Sequence, residues 1–116
     1  MDITRLHVGK TLAEAAIHNG TVYLAGQVAE DATQNIEGQT REILGHIDRL
    51  LAEAGTDKTR ILMCQIFLAD VKDFSGMNAV WNEWVAPGNA PARATVEAKL
   101  AKPEWLVEMV VTAAQK

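Results

Sequence analysis

Apolar positions along the chain alternate between a period of two and a period of three to four, and the changes of period mark the elements. Residues 3–8 read as a short strand. Ala15-Ala16-Ile17-His18 and the segment from Thr21 to Gly26 flank Asn19-Gly20. That dipeptide suits a type I′ turn because both central residues take positive φ, so the pair predicts a β-hairpin. From about 34 to 54, Ile36, Ile43, Leu44, Ile47, Leu50, Leu51 and Ala54 form one helical stripe, closed by Gly55. Residues 60–69 are an apolar run expected to be a strand buried on both faces. A second helix is predicted from Asp70 to Ala86, with Phe74, Met77, Val80, Trp81, Trp84 and Val85 inward. Asp73 or Ser75 is placed to cap it, and Pro87-Gly88-Asn89 ends it.

The remaining pattern is two alternating strands, 91–100 and 106–113, read as an antiparallel hairpin turning near 101–105. Ala94, Val96, Ala98 and Leu100 share one side of the first strand, and Arg93, Thr95, Glu97 and Lys99 share the other. Two helices are too few to cover both sides of five or six strands. They are expected on one face of a mixed sheet, an α+β architecture, with Arg93 and its neighbours on the uncovered face. Oligomerisation is the simplest way to cover that face.

A length of 116 residues predicts a single domain spanning 1–116. The composition, 48% apolar and 22% charged, is that of an ordinary globular protein. No segment approaches the roughly 20 apolar residues of a membrane span. Met1-Asp2-Ile3-Thr4-Arg5 has no signal-peptide core, so the reading is cytoplasmic. Cys64 is the only cysteine and lies in an apolar run, which suits a buried structural thiol. A net charge of −4 without a Lys/Arg run argues against nucleic acid as partner.

Two residues carry candidate chemistry. Arg93 opens a strand after Pro91-Ala92, as a bidentate clamp for a carboxylate or as a salt-bridge partner. Glu108 interrupts an apolar strand between Val107 and Met109, where an ionised carboxylate needs a partner or a wet cavity. It fits water positioning or acid–base work, or an ion pair with Lys99 or Lys102. In the expected hairpin the two lie about 17 Å apart along one sheet face at 3.4 Å per residue. A small-molecule site uses both only if it straddles two subunits. His7, His18 and His46 lack metal-ligand spacing, so no metal is expected. No phosphate loop or Ser-His-Asp set is present. Gly38 and Gly45 have no reading beyond close backbone packing.

Ala25-Gly26-Gln27, Gln39-Thr40, Leu51 through Gly55, Phe67-Leu68-Ala69-Asp70, Phe74, Asn78, Pro91-Ala92-Arg93 and Val107-Glu108, in this order, resemble the RidA/YjgF family of reactive-intermediate deaminases. The tryptophan-rich second helix and the closing Val110-Val111-Thr112-Ala113-Ala114 are most similar to its YoaB-type branch. The resemblance implies a chorismate-mutase-like fold and a homotrimer with three inter-subunit clefts. It also implies hydrolysis of 2-imino acids to 2-keto acids and ammonia without metal or organic cofactor. It puts the arginine that grips the substrate carboxylate at Arg93 and the water-associated glutamate at Glu108. Thr95 takes the place of a cysteine whose backbone orients substrate, and Gly26 belongs to the same pocket. A pocket tyrosine and a pocket serine are replaced by Leu12 and Ala25, which removes two hydroxyls. Two other readings stand beside the enzyme: a non-catalytic metabolite-binding or chaperone-like protein that keeps the pocket, and an endoribonuclease, which the acidic charge disfavours.

Overall fold

The structure, a computed structural model, describes residues 2–116. Its elements are β1 (Thr4–Val8), β2 (Ala13–His18), β3 (Thr21–Leu24), α1 (Ile36–Glu53), β4 (Ile61–Leu68), α2 (Phe74–Trp84), β5 (Ala92–Glu97) and β6 (Val107–Ala114). Short 3-10 turns at Lys58–Arg60 and Val71–Asp73 precede β4 and α2 respectively. The strands form one mixed sheet in the order β1-β2-β3-β6-β4-β5, with both helices on one face.

Local chemistry accounts for the element ends. Asn19 and Gly20 both take positive φ, 52° and 76°, as the turn between β2 and β3 requires. The Asn35 side chain caps α1 by accepting from the Gly38 N–H at 2.9 Å, and Gly55 leaves the helix at φ 82°. Asp73 occupies the cap position of α2 without making a side-chain bond. Asp70 instead caps the preceding 3-10 turn through the Lys72 N–H.

The core lies between sheet and helices. Ile43, Ile47 and Leu51 of α1 and Met77 of α2 are sealed against Val22, Ile66, Leu68, Met109 and Val111. Each such side chain contributes about 1.5–3 kcal/mol by leaving water. The two glycines of α1 separate here. A methyl on Gly38 would come within 2.9 Å of the Gln34 Cβ, so that glycine accommodates the loop before the helix. Gly45 is exposed with no neighbour within 4 Å of an added methyl. Gly45→Ala is therefore expected to stabilise the fold by about 0.5–1 kcal/mol, a rise of a few degrees in Tm. A fall in Tm on calorimetry would mean that something packs on Gly45 in solution.

The C-terminal strands depart from the expected hairpin. β5 does not pair with β6; it lies parallel to β4 at the sheet edge, delivered there by α2, while β6 runs antiparallel between β3 and β4. The nine-residue link 98–106 is too long for a tight hairpin turn and carries the chain past β4. Burial explains the order. Val107, Met109, Val111 and Ala113 are at most 1% exposed and take the centre, whereas β5, with no sealed residue, takes the rim.

Two expectations about faces change with it. β4 is not buried on both sides: Cys64, Ile66 and Leu68 point to the helices, while Met63 and Gln65 stand exposed on the other face. Arg93 and Thr95 are in register with Cys64 and Ile66, so they point to the helical side rather than the uncovered one. The uncovered face instead carries an apolar group, Tyr23 at 52% exposure, Val96 at 50% and Met63 at 39%, with Phe67 and Val110, interrupted by Gln65, Glu108 and Thr112.

Candidate functional site

Arg93 is held by one stripe of α2. Phe74, Asn78 and Trp81 fall at i, i+4 and i+7, on one side of the helix. The Arg93 Nη1 donates to the Asn78 Oδ1 at 2.7 Å, and the guanidinium carbon lies 5.1 Å from the Trp81 ring centroid and 5.7 Å from that of Phe74. Stacking fixes the plane of the group and Asn78 fixes its rotation. Among the described residues no carboxylate pairs with it, so its other N–H donors remain available to an anion. The salt-bridge reading of Arg93 is not realised within the chain.

Two neighbours complete this half. Cys64, beside Arg93 on β4, is fully buried, and burial pushes its thiol up to about 12 against a smaller opposite pull from the Arg93 charge. It is a packing residue and not a nucleophile. Thr95 lies two residues along β5 on the same side. Its hydroxyl oxygen is buried without a hydrogen-bond partner, an unspent polar group that a ligand or second subunit can use.

Glu108 lies elsewhere. It is in register with Phe67, on the sheet face away from the helices, and pairs with neither Lys99 nor Lys102. Its carboxylate rests on Gly26, where a Cβ would sit 2.2 Å from Oε2 and 3.0 Å from Cδ. Gly26 is fixed in turn, because the Gln27 N–H donates to the Met109 carbonyl at 2.8 Å and Met109 returns a bond at 3.1 Å. Ala25 donates its N–H to the Glu14 carbonyl at 2.9 Å. Leu12, 54% exposed, immediately precedes β2 at the end of the sheet where β3 finishes, so it belongs with Ala25 and Gly26. Ala25, Gly26 and Glu108 thus lie together, with Leu12 at the same end of the sheet.

The halves do not meet within the chain. The registers set Arg93 and Glu108 three residues apart along β4 and on its two flanking strands. That is about 10 Å along the strands and about 10 Å across them, roughly 14 Å in all, with the side chains on opposite faces. The two residues are separate, as expected from the sequence, but three residues rather than five apart along the sheet, and on opposite faces rather than on one face of a hairpin. Phe74, Asn78 and Trp81 are the residues that sequence reasoning left out of the site. Their i, i+4, i+7 spacing along α2 is the available signal, and the apolar appearance of that helix conceals it.

The Gly26–Glu108 contact yields a prediction. In Gly26→Ala the added methyl must displace the carboxylate, but the obstructing atoms are the far end of a flexible side chain. Unfolding stability is expected to fall by only about 1 kcal/mol, whereas any activity that needs Glu108 should drop at least about tenfold. Parallel melting curves and rates check this, and an unchanged rate would detach Glu108 from the chemistry.

Among the described residues, no group of three or more His, Cys, Asp or Glu side chains is arranged to hold a metal ion, and no helix is long and apolar enough to cross a membrane. Residues 3–115 match the family model described as endoribonuclease L-PSP. A RutC family protein of Haemophilus ducreyi is 51% identical over 112 residues, 97% of this chain and 96% of that protein. The RutC family protein YoaB of Escherichia coli is 40% identical, covering 98% of this chain and 99% of its own. The crystal structure of a YjgF family member from Neisseria meningitidis superposes with a TM-score of 0.97 at 45% identity, over 100% of this chain and 97% of that one.

Proposed function

The chain belongs to the endoribonuclease L-PSP family, also known as RidA, YjgF or RutC, and on that premise we propose that it hydrolyses 2-imino and 2-enamino acids to 2-keto acids and ammonia. The observation that carries the reading is Arg93, stacked on Trp81 and Phe74, turned by Asn78, with donors still unspent. Such a guanidinium is a receptor for a small carboxylate.

The reacting cleft is inter-subunit, with Arg93 and Thr95 from one chain and Glu108, Gly26, Ala25 and Leu12 from its neighbour in a homotrimer. Supporting this are the roughly 14 Å separation within one chain, the edge position of β5, and the apolar sheet face left open by the helices. Arg93 grips the carboxylate and so fixes the adjacent imine carbon. Glu108 holds a water against that carbon and accepts its proton as the C–O bond forms. Return of that proton to nitrogen, followed by loss of the hydroxyl proton to the Glu108 carboxylate as the C=O forms, lets the tetrahedral adduct expel ammonia and leave the keto acid. The protonated imine is already electrophilic, so the route requires neither metal nor organic cofactor. Its setting is the cytoplasm, where PLP enzymes release such imines.

The test couples a PLP-dependent dehydratase to keto-acid detection. Keto acid should appear faster with the protein than in buffer alone. A second reading rests on Leu12 and Ala25, which bring no hydroxyl to the cleft. It makes the protein a metabolite-binding module, and binding of 2-ketobutyrate with no acceleration over buffer would favour it. RNA cleavage fits less well with a net charge of −4 and no basic stripe.

A further inference from the structure

A second cleft, on the helical side of the sheet, meets the proposed imine site only at Gly26. It has a volume of about 370 Å³, at the lower end of the range for small-molecule sites. One wall comes from α1, with His46, Arg49 and Leu50; the other comes from the sheet, with His7, Glu14 and Gln27, and the loop after β3 adds Val28 and a second carboxylate residue, Glu30.

Its polar groups are set by their neighbours and left incompletely used. Gln27 is only 6% exposed, and its Nε2 donates at 3.0 Å both to the Glu14 carboxylate and to the Ala25 carbonyl. Those two bonds fix the orientation of the amide and leave its Oε1 without a protein donor. Arg49 donates to the His46 Nδ1 at 3.3 Å, and since arginine only donates, the His46 Nε2 carries the proton given to Glu42 at 2.9 Å. Glu42 in turn clasps the Glu30 and Asp31 N–H groups and the Gln34 amide, which ties the loop after the cleft to α1. Burial works against the Glu42 charge, but the bonds from Glu30, His46 and Asp31 hold its carboxyl below the usual range. Arg49 is thus steered by a braced histidine, and most of its donors stay open. On the sheet side His7 holds a left-handed φ of 52°, bonded to Glu53, a conformation with a cost for a non-glycine residue.

The cleft therefore offers a cation on one wall, an anion with an unpaired amide acceptor on the other, and Leu50 and Val28 between polar groups. We propose that it is a binding site for a small zwitterion, an α-amino acid with an apolar side chain. Arg49 takes the carboxylate, Glu14 and the Gln27 Oε1 take the ammonium, and Leu50 and Val28 meet the side chain. A simple anion would be repelled by Glu14 and a simple amine by Arg49; only a ligand carrying both charges satisfies both walls.

The experiment is an NMR titration of the ¹⁵N-labelled protein with L-leucine, raised to about 10 mM, which detects affinities down to the weak millimolar range. Saturable shifts are expected at Gln27, Val28, His46 and Arg49. Isopentylamine and 4-methylpentanoate, each lacking one charged group, should bind at least about tenfold more weakly. Arg49→Gln and Glu14→Gln should each weaken leucine binding by a similar factor, with spectra otherwise folded. Arg93→Ala should leave it unchanged, and this arm separates the cleft from the proposed imine site, whose own failure would show only in the keto-acid assay. Absence of saturable shifts, equal binding of the amine or the acid, or loss of binding in Arg93→Ala would overturn the proposal.

Discussion

Arg93→Ala is expected to bring keto-acid release down to near the rate in buffer alone while leaving the folded assembly intact. Removing one partner of a desolvated charge pair typically costs about 3–4 kcal/mol, so kcat/KM should fall by about 10²–10³-fold. Arg93→Lys should be nearly as damaging. An ammonium keeps the charge but loses the planar fork, the stacking on Trp81 and Phe74, and the bond to Asn78 that aims the group. Asn78→Ala distinguishes aiming from binding. Its loss should be smaller, about tenfold, because Arg93 still stacks between the two rings. The fold should survive each change, since Arg93 stands on the edge strand and is not sealed in the core. A PLP-dehydratase-coupled assay alongside size-exclusion measurements checks both halves of the claim. Wild-type rates in Arg93→Ala would remove the carboxylate clamp and, with it, the proposed chemistry.

What was legible in the sequence divides along physical lines. Elements fixed by local chemistry could be read directly. Asn19-Gly20 specifies its hairpin, and the Ile43, Ile47 and Leu51 stripe specifies a helix with one dry side. Existence and type of the last two strands were equally readable from alternation. Their partners were not, because alternation states that a strand has two faces without naming its neighbour. The composition held a usable clue. Val107, Met109, Val111 and Ala113 are an unbroken apolar set suited to the centre of a sheet, while the Ala92–Glu97 strand offers mostly alanine and polar residues and suits an edge. The wrong partner then propagated to the wrong face for Arg93. Arg93 and Glu108 stand out nonetheless, because a lone charge on a strand asks for a counterpart whatever the topology. Asn78 escaped because an amide on an amphipathic helix asks for nothing.

Mixing inactive Arg93→Ala with inactive Glu108→Ala chains is expected to restore activity. If each cleft of a closed ring takes Arg93 from one subunit and Glu108 from its neighbour, random assembly from equal amounts leaves about one quarter of the clefts with both groups intact. The recovered rate should therefore approach about a quarter of wild type after co-unfolding and refolding, and the separately refolded mutants should show none. This outcome follows from geometry more than from chemistry. Within one chain the two residues lie roughly 14 Å apart with a full sheet layer between their side chains. A substrate of a few heavy atoms cannot touch both. The open face of Tyr23, Met63, Phe67 and Val96 gives the chains a reason to associate, and β5 at the rim brings Arg93 to the edge of that association. No recovery in trimers that mass spectrometry shows to be mixed would leave Glu108 outside the reaction or require a site contained in one chain. Recovery well above one quarter would instead mean that chains choose their neighbours, with unlike subunits preferred at the cleft.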